Sequence, residues 1–298
     1  MPVALFPGQG VQAPGMDLDL YDLVPDVFDI ATDVLGTDVR ELCTSGETSG
    51  ASLASTRWAQ PAVLVCSVAS YRCLVAGGAT YETVAGHSVG EYAALVACEA
   101  LTFTDALTLI AKRAEITAKI AKRTNGAMAA LLRVDVEDAL RLCEEANVTL
   151  AADNAAGQCV ISGDADAIEN ALAAASASGA VARRLDVDGA FHSPLMAPAA
   201  AELGDALSAV DISRPTIAFW SSTTASPIGD PEKIRRCLVE QLVGCVRWRE
   251  TVAGIALDGG SELVDVGPGR VVGTLARRIA PQAEIRFAAD LLPAVAAS

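Results

Sequence analysis

Two residues can be argued first to do chemistry, Ser88 and His192. Ser88 stands in Gly86-His87-Ser88-Val89-Gly90, a G-x-S-x-G spacing with a strand-like run at 81–85 before it and a helical run at 91–97 after it. A serine on a sharp strand-to-helix turn has an exposed hydroxyl and small neighbours, the arrangement of a nucleophile elbow. Glycines let that turn close without a Cβ clash. The helix beginning just past the serine aims free N–H groups and a positive dipole end at it, and these would stabilise an oxyanion on an attacked carbonyl. The pentapeptide alone fits a plain tight turn with a serine N-cap equally well. A serine nucleophile needs a base, and histidine is the usual one near neutral pH. The chain has two, His87 and His192. His87 adjoins Ser88, where the neighbouring side chain is directed away from the hydroxyl, and reads as a packed, hydrogen-bonded residue. His192 lies in Asp188-Gly189-Ala190-Phe191-His192-Ser193-Pro194, a turn at a junction that faces a cleft. If Ser88 is the nucleophile, His192 is the base by elimination.

Behind these residues, 3–6 reads as a buried strand running into Pro7-Gly8-Gln9-Gly10. Residues 17–43 carry acidic helical pieces with Pro25 at a first helical position, and 44–55 is a polar loop. Residues 60–76 are apolar on nearly all faces, as in a buried helix. A long amphipathic helix follows at 102–123. From 128 the order becomes strand (128–134), helix (136–146), strands (148–152 and 158–162), helix (165–176) and strand (180–185). That β-α-β-β-α-β order is the ferredoxin-like split βαβ arrangement. Helices at 194–209, 231–242, 248–257 and 271–279 alternate with strands at 216–220 and 262–266, and the tail from residue 293 is expected to fray. Alternation on both sides of the insertion predicts an α/β fold: a larger hydrolase-like domain with a mainly parallel sheet (1–124 and 191–298) and an inserted small ferredoxin-like α+β domain (125–190).

Composition removes several classes of function. The net charge is −15, with 22 Lys+Arg against 37 Asp+Glu, so the basic footprint of a nucleic-acid binder is missing. No stretch has the roughly 18 uninterrupted apolar residues of a membrane helix, and the N-terminus has no basic leader region. A cytoplasmic protein that spans no membrane is expected. The eight cysteines form no C-x-x-C pair and sit mostly in apolar runs. They read as buried free thiols rather than a disulfide framework or a metal site.

The chain resembles the malonyl-CoA:acyl carrier protein transacylases over essentially its whole length. The resemblance is carried by Phe6-Pro7-Gly8-Gln9-Gly10, Gln60-Pro61-Ala62, Gly86-His87-Ser88-Val89-Gly90-Glu91-Tyr92 and Arg113. It continues through Gly157-Gln158-Cys159-Val160-Ile161-Ser162-Gly163, Gly189-Ala190-Phe191-His192-Ser193 and Val266-Gly267-Pro268-Gly269. It implies ping-pong transfer of a malonyl group from malonyl-CoA through a malonyl-Ser88 ester to the phosphopantetheine thiol of an acyl carrier protein. It further implies an oxyanion hole from the N–H groups of Gln9 and Val89, and His192 oriented by the main-chain carbonyl of Gln241. Asn154 matches an asparagine that supports the histidine loop, or else closes an Asx turn. Where such families carry Asn-Pro, this chain has Gly244-Cys245, so that loop is expected to run differently.

On position alone Arg113 would be an ordinary solvated helical arginine. The resemblance makes it the fork that holds the free carboxylate of malonate, with Gln60, Phe191 and His87 also at the substrate. Phe191 and Val89 follow the pattern of malonyl-selective relatives, and Gly189 replaces a larger residue, which would leave room for a bulkier acyl group. No cofactor is implied, and a monomer is expected. An acidic carrier would dock on a basic patch drawn from Lys119, Lys122, Arg123, Arg183, Arg184, Arg277 and Arg278. The alternatives are a trans-acting polyketide acyltransferase for a substituted malonyl unit and an acyl hydrolase of the same fold.

Overall fold

Apolar residues that alternate between two cores build the first strand. In β1 (Pro2–Phe6), Val3 and Leu5 face one hydrophobic cluster, and Ala4 and Phe6 face another. A strand covered on both sides has no polar face, which is why it reads as a continuous apolar run. The computed structural model describes residues 1–16, 20–187 and 189–296.

After β1 come α1 (Pro25–Leu35), α2 (Val39–Ser45), a short hairpin of β2 (Glu47–Thr48) and β3 (Ala51–Ser52), and α3 (Thr56–Ala76). Next are β4 (Thr83–Gly86), α4 (Gly90–Ala97) and α5 (Phe103–Ala121). The middle of the chain holds β5 (Gly126–Leu132), α6 (Val136–Ala146), β6 (Thr149–Ala155), β7 (Gln158–Asp164), α7 (Ala165–Ala177) and β8 (Val181–Arg184). A 3₁₀ turn (Pro194–Met196) then leads into α8 (Ala197–Ser208), β9 (Ala218–Ser221), β10 (Ser226–Pro227) and α9 (Pro231–Glu240). The chain continues with α10 (Trp248–Leu257), β11 (Glu262–Asp265), α11 (Val271–Ile279), β12 (Glu284–Phe287) and α12 (Ala288–Ala296).

Six strands make one sheet in the order β10-β9-β4-β1-β11-β12. Five of them are parallel, and only β10 runs antiparallel to its neighbour β9. The register sets Phe6 beside Gly86, so the end of β1 lies against the entrance to the Ser88 turn. One side of the sheet is covered by α3, α4 and α5, the other by α10 and α11. α3 is long and apolar enough to cross a membrane, but 78% of its apolar window is buried inside the protein. That burial marks it as a core helix. It begins four residues before the expected 60 and carries Pro61 inside it, because Ala59 and Gln60 are already drawn into the core.

A second sheet has the order β6-β7-β5-β8, antiparallel throughout. Apolar side chains of α6 and α7, such as Ala139, Cys143, Ile168 and Ala171, fill the space over Ala129, Leu131 and Ile161. β6 ties the second sheet to the segment leading into α10: Val246 donates to Ala151 at 2.9 Å and Asp153 donates to Val246 at 3.0 Å. The Asp153 carboxylate also pairs with Arg249 at 2.7 Å.

The expected elements are found, with differences at the margins. The polar stretch 44–55 contains the β2–β3 hairpin, and β12 and α12 follow the last expected helix. β12 escapes periodicity because it is an edge strand whose Glu284 and Arg286 are exposed and whose Phe287 alone is buried. The tail expected to fray from residue 293 is helical to Ala296, and 297–298 lie outside the described residues. Of the acidic region, 17–19 lie outside them too, as does Asp188 of the His192 motif. All eight cysteines are free, seven of them buried.

Candidate active site

The Ser88 turn is forced by what its glycines touch. A Cβ on Gly86 would run into the main chain of Gly90 and Glu91, and one on Gly90 into the carbonyl of Phe6. The turn can therefore lie flat on the end of β1, and His87 N–H extends the sheet by donating to Phe6 O at 2.9 Å. Ser88 sits at φ 52°, a left-handed conformation that costs a non-glycine residue on the order of 1–2 kcal/mol. Ser88 keeps 7% exposure on this turn, between the buried strand β4 and the buried start of α4. The main-chain N–H of Val89 has no acceptor among the described residues, and neither has that of Gln9. These two amides are free to donate to a substrate.

His192 arrives from the far side of the second sheet. It too has a positive φ, 57°, and 7% exposure. Its Nε2 lies 2.9 Å from Ser88 Oγ, and its Nδ1 lies 2.7 Å from the carbonyl of Gln241. A carbonyl only accepts, so Nδ1 carries the hydrogen and Nε2 presents its lone pair to the serine hydroxyl. Burial first, and the Arg113 charge second, push the imidazole down to about pKa 3. It is neutral at pH 7, as a base must be before it takes a proton. The Gly244-Cys245 departure leaves this bond intact: Gln241 is fixed one turn earlier, where its N–H donates to Cys237 O at 2.8 Å.

Arg113 is buried, with 2% exposure, contrary to the solvated position its helix alone would give. It falls on the inward stripe of α5 with Ala106, Ile110 and Thr117, and that spacing is the signal for burial. Its Nη1 donates to Gln60 Oε1 at 2.6 Å and its Nη2 reaches Ser88 Oγ and Gln241 Oε1, each at 3.3 Å. Its Nε has no acceptor, and no carboxylate pairs with it among the described residues. A buried cation surrounded by neutral oxygens is costly unless an anion joins it.

Glu91 was not singled out from the sequence, yet it lies at the back of the site, fully buried. One oxygen accepts from Ser222 N–H at 2.5 Å, Ser222 Oγ at 2.9 Å and Ser221 Oγ at 3.1 Å, and the other from Gln241 Nε2 at 2.6 Å. Burial raises its carboxyl to about pKa 7 against those donors. The signal was present in α4, where every residue but Val96 is buried, leaving a glutamate in the first turn no route to water.

Other expected residues are placed differently. Asn154 does not touch His192; its Oδ1 bonds the Nε2 of the other histidine, His87, at 2.8 Å. β6 brings Asn154 to that side of the elbow, where Trp248 also stacks edge-on against His87. Desolvation lowers the pKa of His87, and its ring points into packing as expected for a structural residue. The Gln9 side chain turns to Thr56 at 3.2 Å, leaving only its main chain for the site. Phe191 is buried in the large core beside His192. Gly189 opens no extra room: it has φ 121°, and a Cβ there would lie 2.7 Å from Ala121 Cβ. Of the basic residues, Lys119 is engaged by Glu202 and Arg184 by Glu169, so they do not form one free patch.

The comparisons with known proteins agree with this geometry. The acyl transferase domain family matches residues 3–283. The malonyl CoA-acyl carrier protein transacylase of Bacillus subtilis is 39% identical over 285 residues, covering 92% of this chain and 89% of its own length. The solved malonyl transacylase of Streptococcus pneumoniae superposes with a TM-score of 0.92 at 35% identity, covering 100% of both chains. A malonyl-transacylase solved in complex with its type II polyketide acyl-carrier protein gives 0.92 at 34% identity, over 100% of this chain and 99% of that one.

Proposed function

This chain belongs to the acyl transferase family and transfers a malonyl group from malonyl-CoA to an acyl carrier protein, and we propose that Ser88 carries the group between them. The observation that carries the reading is the 2.9 Å contact between Ser88 Oγ and a neutral, carbonyl-oriented His192. His192 Nε2 takes the hydroxyl proton as Oγ attacks the thioester carbonyl. The free N–H groups of Gln9 and Val89 receive the oxyanion; losing one such donor typically costs about 10²–10³ in turnover. The imidazolium returns the proton to the departing CoA sulfur, leaving a malonyl-Ser88 ester. In the second half, His192 takes the proton of the phosphopantetheine thiol, whose sulfur attacks the ester, and returns it to Ser88 Oγ as the C–O bond breaks.

Arg113 selects the acyl group. Its guanidinium donates only to neutral oxygens, and the free carboxylate of malonate supplies a direct anionic partner. That anion also cancels the second cause of the low His192 pKa, so the base gains proton affinity when the right acyl group is bound. Phe191 and Val89 flank the reacting pair and suit an acyl chain without a large α-substituent.

The remaining expectations are part of the same reading. The proposed chemistry uses the CoA thioester directly and calls on no cofactor, and the reading keeps the protein a monomer. The net charge of −15 speaks against nucleic acid as a partner, and a cytoplasmic setting fits that chemistry. We read 125–190 as a ferredoxin-like unit inserted between 1–124 and 191–298, on the strand order β6-β7-β5-β8 with two helices on one face.

Intact-protein mass spectrometry after mixing with malonyl-CoA tests the proposal. A malonyl adduct is expected on the wild type and absent from Ser88→Ala. An adduct of equal yield on Ser88→Ala would remove the serine from the mechanism.

A further inference from the structure

Gln241 meets three groups of the site at once. Its main-chain carbonyl accepts from His192, its Nε2 donates to Ser88 O at 3.1 Å, and its Oε1 accepts from Arg113 at 3.3 Å. A primary amide has two unlike ends, so which end faces which neighbour is a binary choice. The second hydrogen of Nε2 goes to Glu91 Oε2 at 2.6 Å, the shortest side-chain bond that Gln241 makes. The other oxygen of Glu91 is pinned by the Ser222 main-chain N–H at 2.5 Å, a donor that cannot turn round. Both ends of residue 91 must therefore accept, which an ionised carboxylate does and a carboxamide, or a protonated carboxyl, does not.

We propose that Glu91 is a positioning residue for acyl-group selection: its carboxylate fixes the orientation of the Gln241 amide and so holds the Arg113 guanidinium ready for the second carboxylate of the acyl group. This rests on the reading of Arg113 as the partner of malonate. Glu91 contacts no reacting atom and acts through Gln241 alone. The competing role is a plain tie between α4 and the end of β9, since Ser221 and Ser222 hold the same carboxylate. Selectivity separates the two roles, because a tie supports Ser88 whatever the acyl group.

Glu91→Gln is the direct test. Its new N–H turns away from the short main-chain bond at Ser222 and towards Gln241. The Gln241 amide must then invert and set Nε2 against Arg113, donor against donor. The kcat/KM for loading Ser88 from malonyl-CoA is expected to fall roughly 10–100-fold, mostly through KM, as for a lost hydrogen bond to a charged group. Loading from acetyl-CoA, which has no second carboxylate, is expected to lose only what the broken Nε2 bond to Ser88 O costs, so the malonyl-to-acetyl ratio falls. Gln241→Met keeps the carbonyl under His192 but removes the amide from Ser88 O and Arg113, so loading of both groups falls and the malonyl-to-acetyl ratio is expected to fall with it. In that background Glu91→Gln adds nothing, because no amide remains to be oriented.

Equal losses for both acyl groups, additive losses in the double variant, or an unchanged malonyl-to-acetyl ratio in Gln241→Met would each overturn the proposal. Should Glu91→Gln not fold, the ratio in Gln241→Met decides alone. A wild type that loads both groups alike would sink the Arg113 reading and this inference with it. A wild type that prefers malonyl, with variants that keep the preference, sinks this inference only.

Discussion

The two corners that carry Ser88 and His192 reach nearly the same backbone conformation, φ 52° and 57°, by different means. At the elbow the means are local. Gly86 and Gly90 let the turn lie on β1, and α4 starts two residues after the serine. At the return corner the means are remote. Gly189 packs on the end of α5, and His192 is held by a carbonyl that follows α9, 49 residues further along the chain. A strained residue at the site can thus be held by its own turn or by distant partners, and the two should fail differently.

Gly90→Ala attacks the local device and should have the largest effect. Its methyl group meets the Phe6 carbonyl, a main-chain atom of the central strand with nowhere to move. A loss of about 3 kcal/mol or more in urea unfolding is expected, together with loss of the acyl adduct. A stable variant that still acylates would show that the elbow is looser than its contacts imply.

His192→Ala attacks the remote device at the reacting atom. Turnover should fall by about 10³, within the usual range for a general base, with near-native stability. If stability fell as far as in Gly90→Ala, the return corner would be a folding element rather than a mount for a base. Gly189→Ala is a milder test of the same corner. Positive φ and the Ala121 contact together should cost about 1–3 kcal/mol, with the fall in turnover following the misplacement of His192.

Acidification sharpens the contrast through its sign. His192 has a folded pKa of about 3 against an ordinary 6.5, so between those values the unfolded chain binds the extra proton. Stability from this group therefore falls as pH drops from 6.5 towards 3. Glu91, raised to about 7 from 4.5, has the opposite slope between those values. Urea midpoints of wild type and His192→Gln, measured between pH 7 and pH 5, should show the wild type losing more; parallel curves would mean that His192 is not buried in its neutral form. The smallest effect is expected from Asn154→Ala, which removes the His87 partner at a cost of about 1 kcal/mol and leaves turnover within a few-fold. A loss of turnover matching His192→Ala would put Asn154 back with the base.

Much of this was readable along the chain because the determinants are short in range. The elbow is a pentapeptide between a strand and a helix, and α10 and α11 begin and end where periodicity places them. The β-α-β-β-α-β order gives the second sheet, since the order of elements limits how neighbouring strands can pair. Arg113 and Glu91 were legible in principle. Each sits where helical spacing or an all-apolar helix leaves a charge no way out, but a single charged residue on a helix reads as solvated until the whole stripe is followed.

What the sequence determined by itself was the Ser88 turn and the run of elements around it, for these depend on residues a few positions apart. Tertiary structure alone decided that Asn154 serves His87 rather than His192, that Gly189 is filled by Ala121, and that one glutamine joins His192, Ser88 and Arg113. Those pairings link residues 49 to 153 positions apart. Which donor finds which acceptor at such separations is set by how sheets and helices stack, and no local pattern of residue types encodes it.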